Sequence, residues 1–215
     1  MGRMKRIVGV WAGSLFCLAL CPCLQAQQRA CWAGGLLSAY EAMASDPDRE
    51  HQARFFSAFP DTGEQYELLF GCHPCLGDSS LYDRSFGMVR AFWALSAVPD
   101  SVFCDKAVAV TCGLRYEPDA PNEWQECLTA RLLEHSKRSE MLIDRVALLG
   151  RGHQMQFWGF VWSAIVDVDG RGRRDFCREY IRERHPQMTG IYDCARALFY
   201  DGINFSSITP RNCPE

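Results

Sequence analysis

Several features are missing from these 215 residues, and each absence narrows what the chain can be. Beyond the apolar stretch from Ile7 to Leu20, no run approaches the roughly 20 residues that a membrane-spanning helix needs. Strand-type alternation of apolar and polar residues is nearly absent, which leaves helices as the expected element. There is no internal repeat, no long Ser, Gly or Pro tract and no linker, so neither a solenoid nor an extended disordered segment is expected. Catalytic signatures are missing too. The chain has no Gly-x-Ser-x-Gly elbow, no His-Glu-x-x-His pair and no phosphate-cradling glycine loop.

What is present begins with export. Arg3, Lys5 and Arg6 precede the apolar stretch, and Leu24-Gln25-Ala26 follows it before Gln27, the pattern of a secretory signal peptide cleaved after Ala26. Leu18-Ala19-Leu20-Cys21 resembles a bacterial lipoprotein box that would anchor the chain through Cys21, but a large Leu stands where such boxes take Gly, Ala or Ser. The expected organisation is therefore a signal peptide over residues 1–26 and a single domain over 27–215. That domain is expected to be periplasmic or secreted, with no transmembrane segment after cleavage. Cleavage removes three of the 23 Lys and Arg and none of the 26 Asp and Glu, leaving 20 against 26 and a charge near −6. Nucleic acid is not an expected partner for such a balance.

Of twelve cysteines, Cys17, Cys21 and Cys23 leave with the leader. Cys31, Cys72, Cys75, Cys104, Cys112, Cys127, Cys177, Cys194 and Cys213 remain, an odd number. In an oxidising compartment up to four bridges and one leftover thiol are expected, with a pairing that spacing cannot assign. Each bridge would contribute about 2–4 kcal/mol.

Apolar residues recur at helical spacing almost throughout. Residues 29–44 form the first helix, and Asp46-Pro47 reads as a cap with proline at the first position of the second, which carries Phe55, Phe56 and Phe59. A short helix from about Thr62 ends at Gly71, and residues 72–79 form a loop. The spacing predicts a long helix from Ser80 that Pro99 terminates, then one capped by Ser101 that runs to Cys112 with Gly113 closing it, one capped by Asn122, and one from Ser139, its cap, to Leu149 with Gly150 as the stop. Residues 153–166 are apolar nearly all round, as in the buried centre of a bundle. A basic amphipathic helix over 171–184 and a last helix, Ile191 to Tyr200, complete an all-α, compact multi-helix bundle stapled by disulfides, with Cys213 tying down the tail.

Candidate chemistry is sparse. Cys72-His73-Pro74-Cys75 has the spacing of a redox pair, but the strand that should precede such a motif is missing, so Cys72 and Cys75 read first as structural. A zinc site on Cys72, Cys75 and His73 lacks a fourth ligand, and His51, His135, His153 and His185 are scattered singly. Asp167-Val168-Asp169-Gly170 echoes a calcium loop but puts Arg178 where the bidentate Glu belongs. Glu123 with Glu126, or Asp167 with Asp169, reads as ordinary solvated acid pairs. No metal and no cofactor are expected. The basic face of 171–184, with Arg173, Arg174 and Arg178 as partner-binding candidates, could grip an acidic partner or be a solvated face.

Phe55-Phe56-x-x-Phe59-Pro60, Tyr66, Leu69-Phe70-Gly71, Leu81-Tyr82 and Phe157-Trp158-x-Phe160 together resemble a set of small helical bacterial proteins, some of the type that gives immunity to secreted antibacterial effectors. The resemblance covers residues 50–165 and implies a protein that binds and neutralises a toxin, with no catalytic residue to carry over. The expected function is that of an exported binding protein with a protein partner. The alternatives are an exported thiol-disulfide factor or small enzyme using Cys72 and Cys75, and a structural envelope protein.

Overall fold

A computed structural model describes residues 21–71, 81–114, 120–163 and 171–200. Among these the architecture is all-α, as expected. The helices are α1 (Cys21–Ser45), α2 (Arg49–Ala58), α3 (Gly63–Phe70), α4 (Ser85–Trp93), α5 (Asp100–Gly113), α6 (Ala120–Leu132), α7 (Lys137–Ala147), α8 (Arg151–Trp162), α9 (Arg171–Arg184) and α10 (Pro186–Tyr200), with a 3-10 turn at Tyr82–Arg84. No helix among the described residues is long and apolar enough to cross a membrane. The continuous helix α1 passes through the expected processing point after Ala26, and the first buried side chain described along it is Ala33.

Packing follows the apolar spacing. Helix α5 lies against α3, α7 and α8, while α4 packs on α6 and α1 on α2. Helix α10 packs on both α8 and α9. The buried aromatics gather in two groups within one core. In the first, Phe59 stacks on Phe92 at 4.3 Å, and Phe92 lies 4.9 Å from Phe103 and 5.2 Å from Trp124. Tyr66 meets Trp124 edge-on at 5.5 Å. In the second, Tyr192 of α10 meets Trp158 at 4.8 Å and Trp162 at 5.5 Å, both on α8. The spaced aromatics over 55–70 are thus the packing surface of the α2–α3 corner.

Where helices stop is decided mostly by side chains from elsewhere in the chain. The four last carbonyls of a helix lack intrahelical donors. At the end of α2, the Lys106 ammonium donates to the Phe56 and Phe59 carbonyls at 2.7 and 2.8 Å, and pairs with Asp61 at 2.7 Å. The Trp32 indole N–H takes the Ala58 carbonyl at 3.2 Å. At the end of α4, Arg131 takes the Trp93 carbonyl and Arg138 the Leu95 carbonyl, while Gln52 Oε1 accepts from the Ser96 and Ala97 N–H groups. Gln125 takes the Phe160 carbonyl at the end of α8.

These contacts correct several expected boundaries. The predicted helix over 80–99 ends at Trp93, because three side chains from other helices bind the backbone of 93–97. The cap of α2 is Asp48, whose carboxylate accepts the His51 N–H at 2.7 Å, and not Asp46; that bond holds its carboxyl below the usual range. Ser136, not Ser139, caps α7, and α6 opens at Ala120, ahead of Asn122. Gly150 opens α8 instead of closing α7.

The expected staple is also corrected in part. Cys31, Cys104, Cys112 and Cys127 carry free thiols. Cys104 and Cys112 direct their sulfurs at the Arg138 and His153 carbonyls, each at 3.7 Å, and Cys127 directs its sulfur at the Glu123 carboxylate at 3.9 Å. Two of these acceptors lie on neighbouring helices and the third on the cysteine's own helix, and none of the four thiols is bridged. Cys72, Cys75 and Cys213 lie outside the described residues.

One close approach tests the corner. A Cβ on Gly63 would come within 2.5 Å of the Gly113 Cα and the Leu114 nitrogen, both backbone atoms, whereas one on Gly87 would meet only the Tyr40 hydroxyl at 2.8 Å. Gly63→Ala is expected to destabilise by about 1–3 kcal/mol through overpacking, and Gly87→Ala by less, since a side-chain end can swing away. Lys106→Met, which strips two carbonyls and a carboxylate of their shared donor, is expected to lose about 3 kcal/mol. Urea unfolding of the three variants measures these differences.

Candidate functional site

The corner between α7 and α8 presents the chain's most exposed large apolar side chain among the described residues. Helix α7 runs to Ala147, Leu148 and Leu149 turn the chain, and Gly150 starts α8. The turn is fixed from inside. The buried Gln154 amide donates to the Ala147 carbonyl at 3.2 Å and to the Leu149 carbonyl at 2.8 Å, bracketing Leu148. The Leu148 N–H is itself bonded to the Arg145 carbonyl at 3.2 Å. Leu148 therefore stands 77% exposed on a backbone held on both sides.

Beside it lies a hollow of 460 Å³. It is lined by Asp105, Val108, Ala109 and Cys112 of α5, by Arg145, Leu148 and Leu149 at the end of α7, and by His153 of α8. Arg145 pairs with Asp105 at 2.7 Å. Along α5 the outward positions Val102, Asp105, Ala109 and Cys112 follow helical spacing, and Val102, 47% exposed, is separated from the hollow by the Asp105 carboxylate. The Cys112 thiol is pushed up to about 12 by burial, which suits an apolar floor and not a nucleophile. The arrangement offers a fixed apolar knob, an apolar recess and charges at the edge, which is equipment for binding.

The remaining polar clusters read as structural. Glu123 is almost fully buried under Arg90, with which it forms an ion pair, while Glu126 is exposed, so the two do not face each other as paired acids. Burial, with Cys127 and Glu123 adding to it, holds the Tyr66 phenol well above its ordinary range and so protonated. Asp144 of α7 accepts from Tyr180 at 3.1 Å and contacts His185 Nε2 at 2.7 Å, tying α9 and its end to α7. His135, at a φ of 52°, stacks on Phe176 at 3.7 Å. Asp46, Asp48 and His51 bring potential ligand atoms within 4.8 Å of one another, but the carboxylate of Asp48 serves as the cap of α2 and also contacts His51 Nδ1 at 3.1 Å.

Of the residues singled out in the sequence, Arg178 is engaged by Asp193 of α10 through two bonds at 2.7 and 2.9 Å, so it fastens α9 to α10. Arg173 and Arg174 lie on α9, with side chains outside the described set. Cys72, His73, Cys75, Asp167 and Asp169 lie outside the described residues. Sequence reading missed Leu148, Arg151 and Gln154, and took His153 only as a lone histidine. The available signal was the Leu-Leu pair directly before Gly150, where a helix stop alone needs no second apolar residue.

Thiol reactivity separates the described cysteines. Burial raises the Cys104 thiol to about 12 and the Cys127 thiol to about 11, the latter with help from Glu123. In the native protein near pH 8, Cys31, exposed on α1, is expected to be alkylated at least about a hundredfold faster than Cys104, Cys112 or Cys127, as peptide mass mapping would show. Because these three thiols ionise later in the folded state than in the unfolded one, their contribution to stability is full below the unfolded thiol range and is lost as pH rises from about 9 towards 12. Comparison with known proteins finds no matching family model, no matching curated sequence and no matching solved structure.

Proposed function

We propose that this chain is an exported helical binding protein that neutralises a partner protein, an immunity protein against a secreted antibacterial effector being the specific form. The observation that carries the reading is Leu148, held outward by the Gln154 clamp beside an apolar hollow. A leucine displayed on a backbone held on both sides needs little ordering on binding, so a contact made through it keeps more of its energy for association. The leader pattern supports export to the compartment where such an effector would arrive, and a mature charge near −6 would speed encounter with a basic one. Any bridges that support the scaffold in that compartment belong to cysteines other than Cys31, Cys104, Cys112 and Cys127.

The test is affinity capture by residues 27–215 from periplasmic extract of the native host, in parallel with a Leu148→Glu variant and a deletion strain. A stoichiometric protein that the variant fails to retain, together with sensitivity of the deletion strain to that protein, is the expected result. Equal retention by the variant, or a deletion strain as resistant as its parent, would sink the reading.

A further inference from the structure

The expected processing point falls inside a helix. Helix α1 is continuous from Cys21 to Ser45, so in the uncut chain the N–H groups of residues 27–30 bond to the carbonyls of residues 23–26. Cleavage after Ala26 would remove all four acceptors and release Gln27 as a free α-amine. Gln27 is exposed, and the first buried side chain described along α1 is Ala33, so core packing does not restrain the new end. The new first turn would read Gln27-Gln28-Arg29-Ala30, with a guanidinium and no acid. An α-ammonium there would add a second positive charge at the positive end of the helix dipole.

Resting on the export and cleavage reading above, we infer that Gln27 closes on itself, so that the mature chain begins with a pyroglutamyl ring. The unprotonated α-amine attacks Cδ of the residue's own side-chain amide. A bond from the amine nitrogen to Cδ forms, the bond from Cδ to Nε2 breaks, and Nε2 leaves as ammonia with a proton from the amine. Nothing is oxidised or reduced. Amine and amide belong to one residue within reach of a five-membered ring, so the closure needs no second reactant. The closed ring is neutral, and the charge that opposes the α1 dipole disappears. It also denies an aminopeptidase the amine on which it acts. The segment so protected matters to the fold: Trp32, in the second turn of the shortened helix, donates its indole N–H to the Ala58 carbonyl at the end of α2.

The test is to express the full chain, leader included, in its native host, quench the cells in acid, and map the N-terminal peptide with a protease that cuts after Glu, for which Glu41 is the first site in the mature chain. A synthetic open peptide of residues 27–41 goes through the same work-up, so that closure during handling is measured. The expected peptide begins at Gln27, is lighter than the open form by one ammonia, and is inert to amine reagents, in a fraction at least about tenfold above the control. Gln27→Ala protein is expected to show an open terminus that an added aminopeptidase trims at least about tenfold faster than the wild type. A peptide beginning at Gln27 with an open amine, or closure no greater than in the control, would overturn this inference and leave the exported binding reading standing. A peptide beginning at another residue, or an acylated Cys21, would overturn it together with cleavage after Ala26. Equal trimming of the two proteins would overturn the protective consequence.

Discussion

A single ammonium group fixes the corner on which much of the bundle is laid. Lys106 projects from the middle of α5 with only 9% of its side chain exposed, and its partners are the last carbonyls of α2 and the Asp61 carboxylate, with the Phe56 ring 4.5 Å away. A cation buried to this extent is tolerable only when its protons are all taken, and here they are taken by groups that themselves need a donor. That mutual need sets the angle at which α2 hands the chain to α3. The approach of Gly63 to Gly113 then brings α3 onto the end of α5 at backbone contact. The aromatic cluster around Phe59, Phe92 and Trp124 fills the space this corner defines.

The same device recurs with other side chains. Arg131, Arg138, Gln125 and Gln154 each satisfy carbonyls at the end of a helix other than their own, or at the corner before it. Helix ends in this protein are thus also helix–helix contacts. The bundle gains directional bonds where apolar packing alone would permit sliding, and the carbonyls at these helix ends are buried with partners. The Leu148 corner is one instance, in which the bond that ends α7 also determines which side chain faces outward.

This explains what could and could not be read from the chain. Helices were legible because apolar spacing is local: α3, the stop of α5 at Gly113 and the whole of α9 over 171–184 fall where the pattern puts them. Ends were less legible because their causes lie far away, 38 residues along the chain for Arg131 on Trp93 and 50 for Lys106 on Phe56. Arg178 looked available on its own helix, and its partner Asp193 sits on the next one. Leu148 was absorbed into the reading of Gly150 as a stop, since nothing local distinguishes a leucine that ends a helix from one that is displayed by it. Cys104, Cys112 and Cys127 misled for a related reason: the number of cysteines suggested bridging, while these three sulfurs are placed by their helices against oxygen acceptors.

The long reach of these bonds bears on how the chain is made. A polypeptide emerges with its N-terminal part first, and α2 is complete some 47 residues before the lysine that closes its last carbonyl appears. Helix α4 waits in the same way for Arg131 and Arg138. The early helices therefore spend their first moments with frayed ends and an uncovered aromatic face, and settle together once the middle of the chain arrives. Such late, collective closure gives the chain a definite shape only once its middle helices have been made.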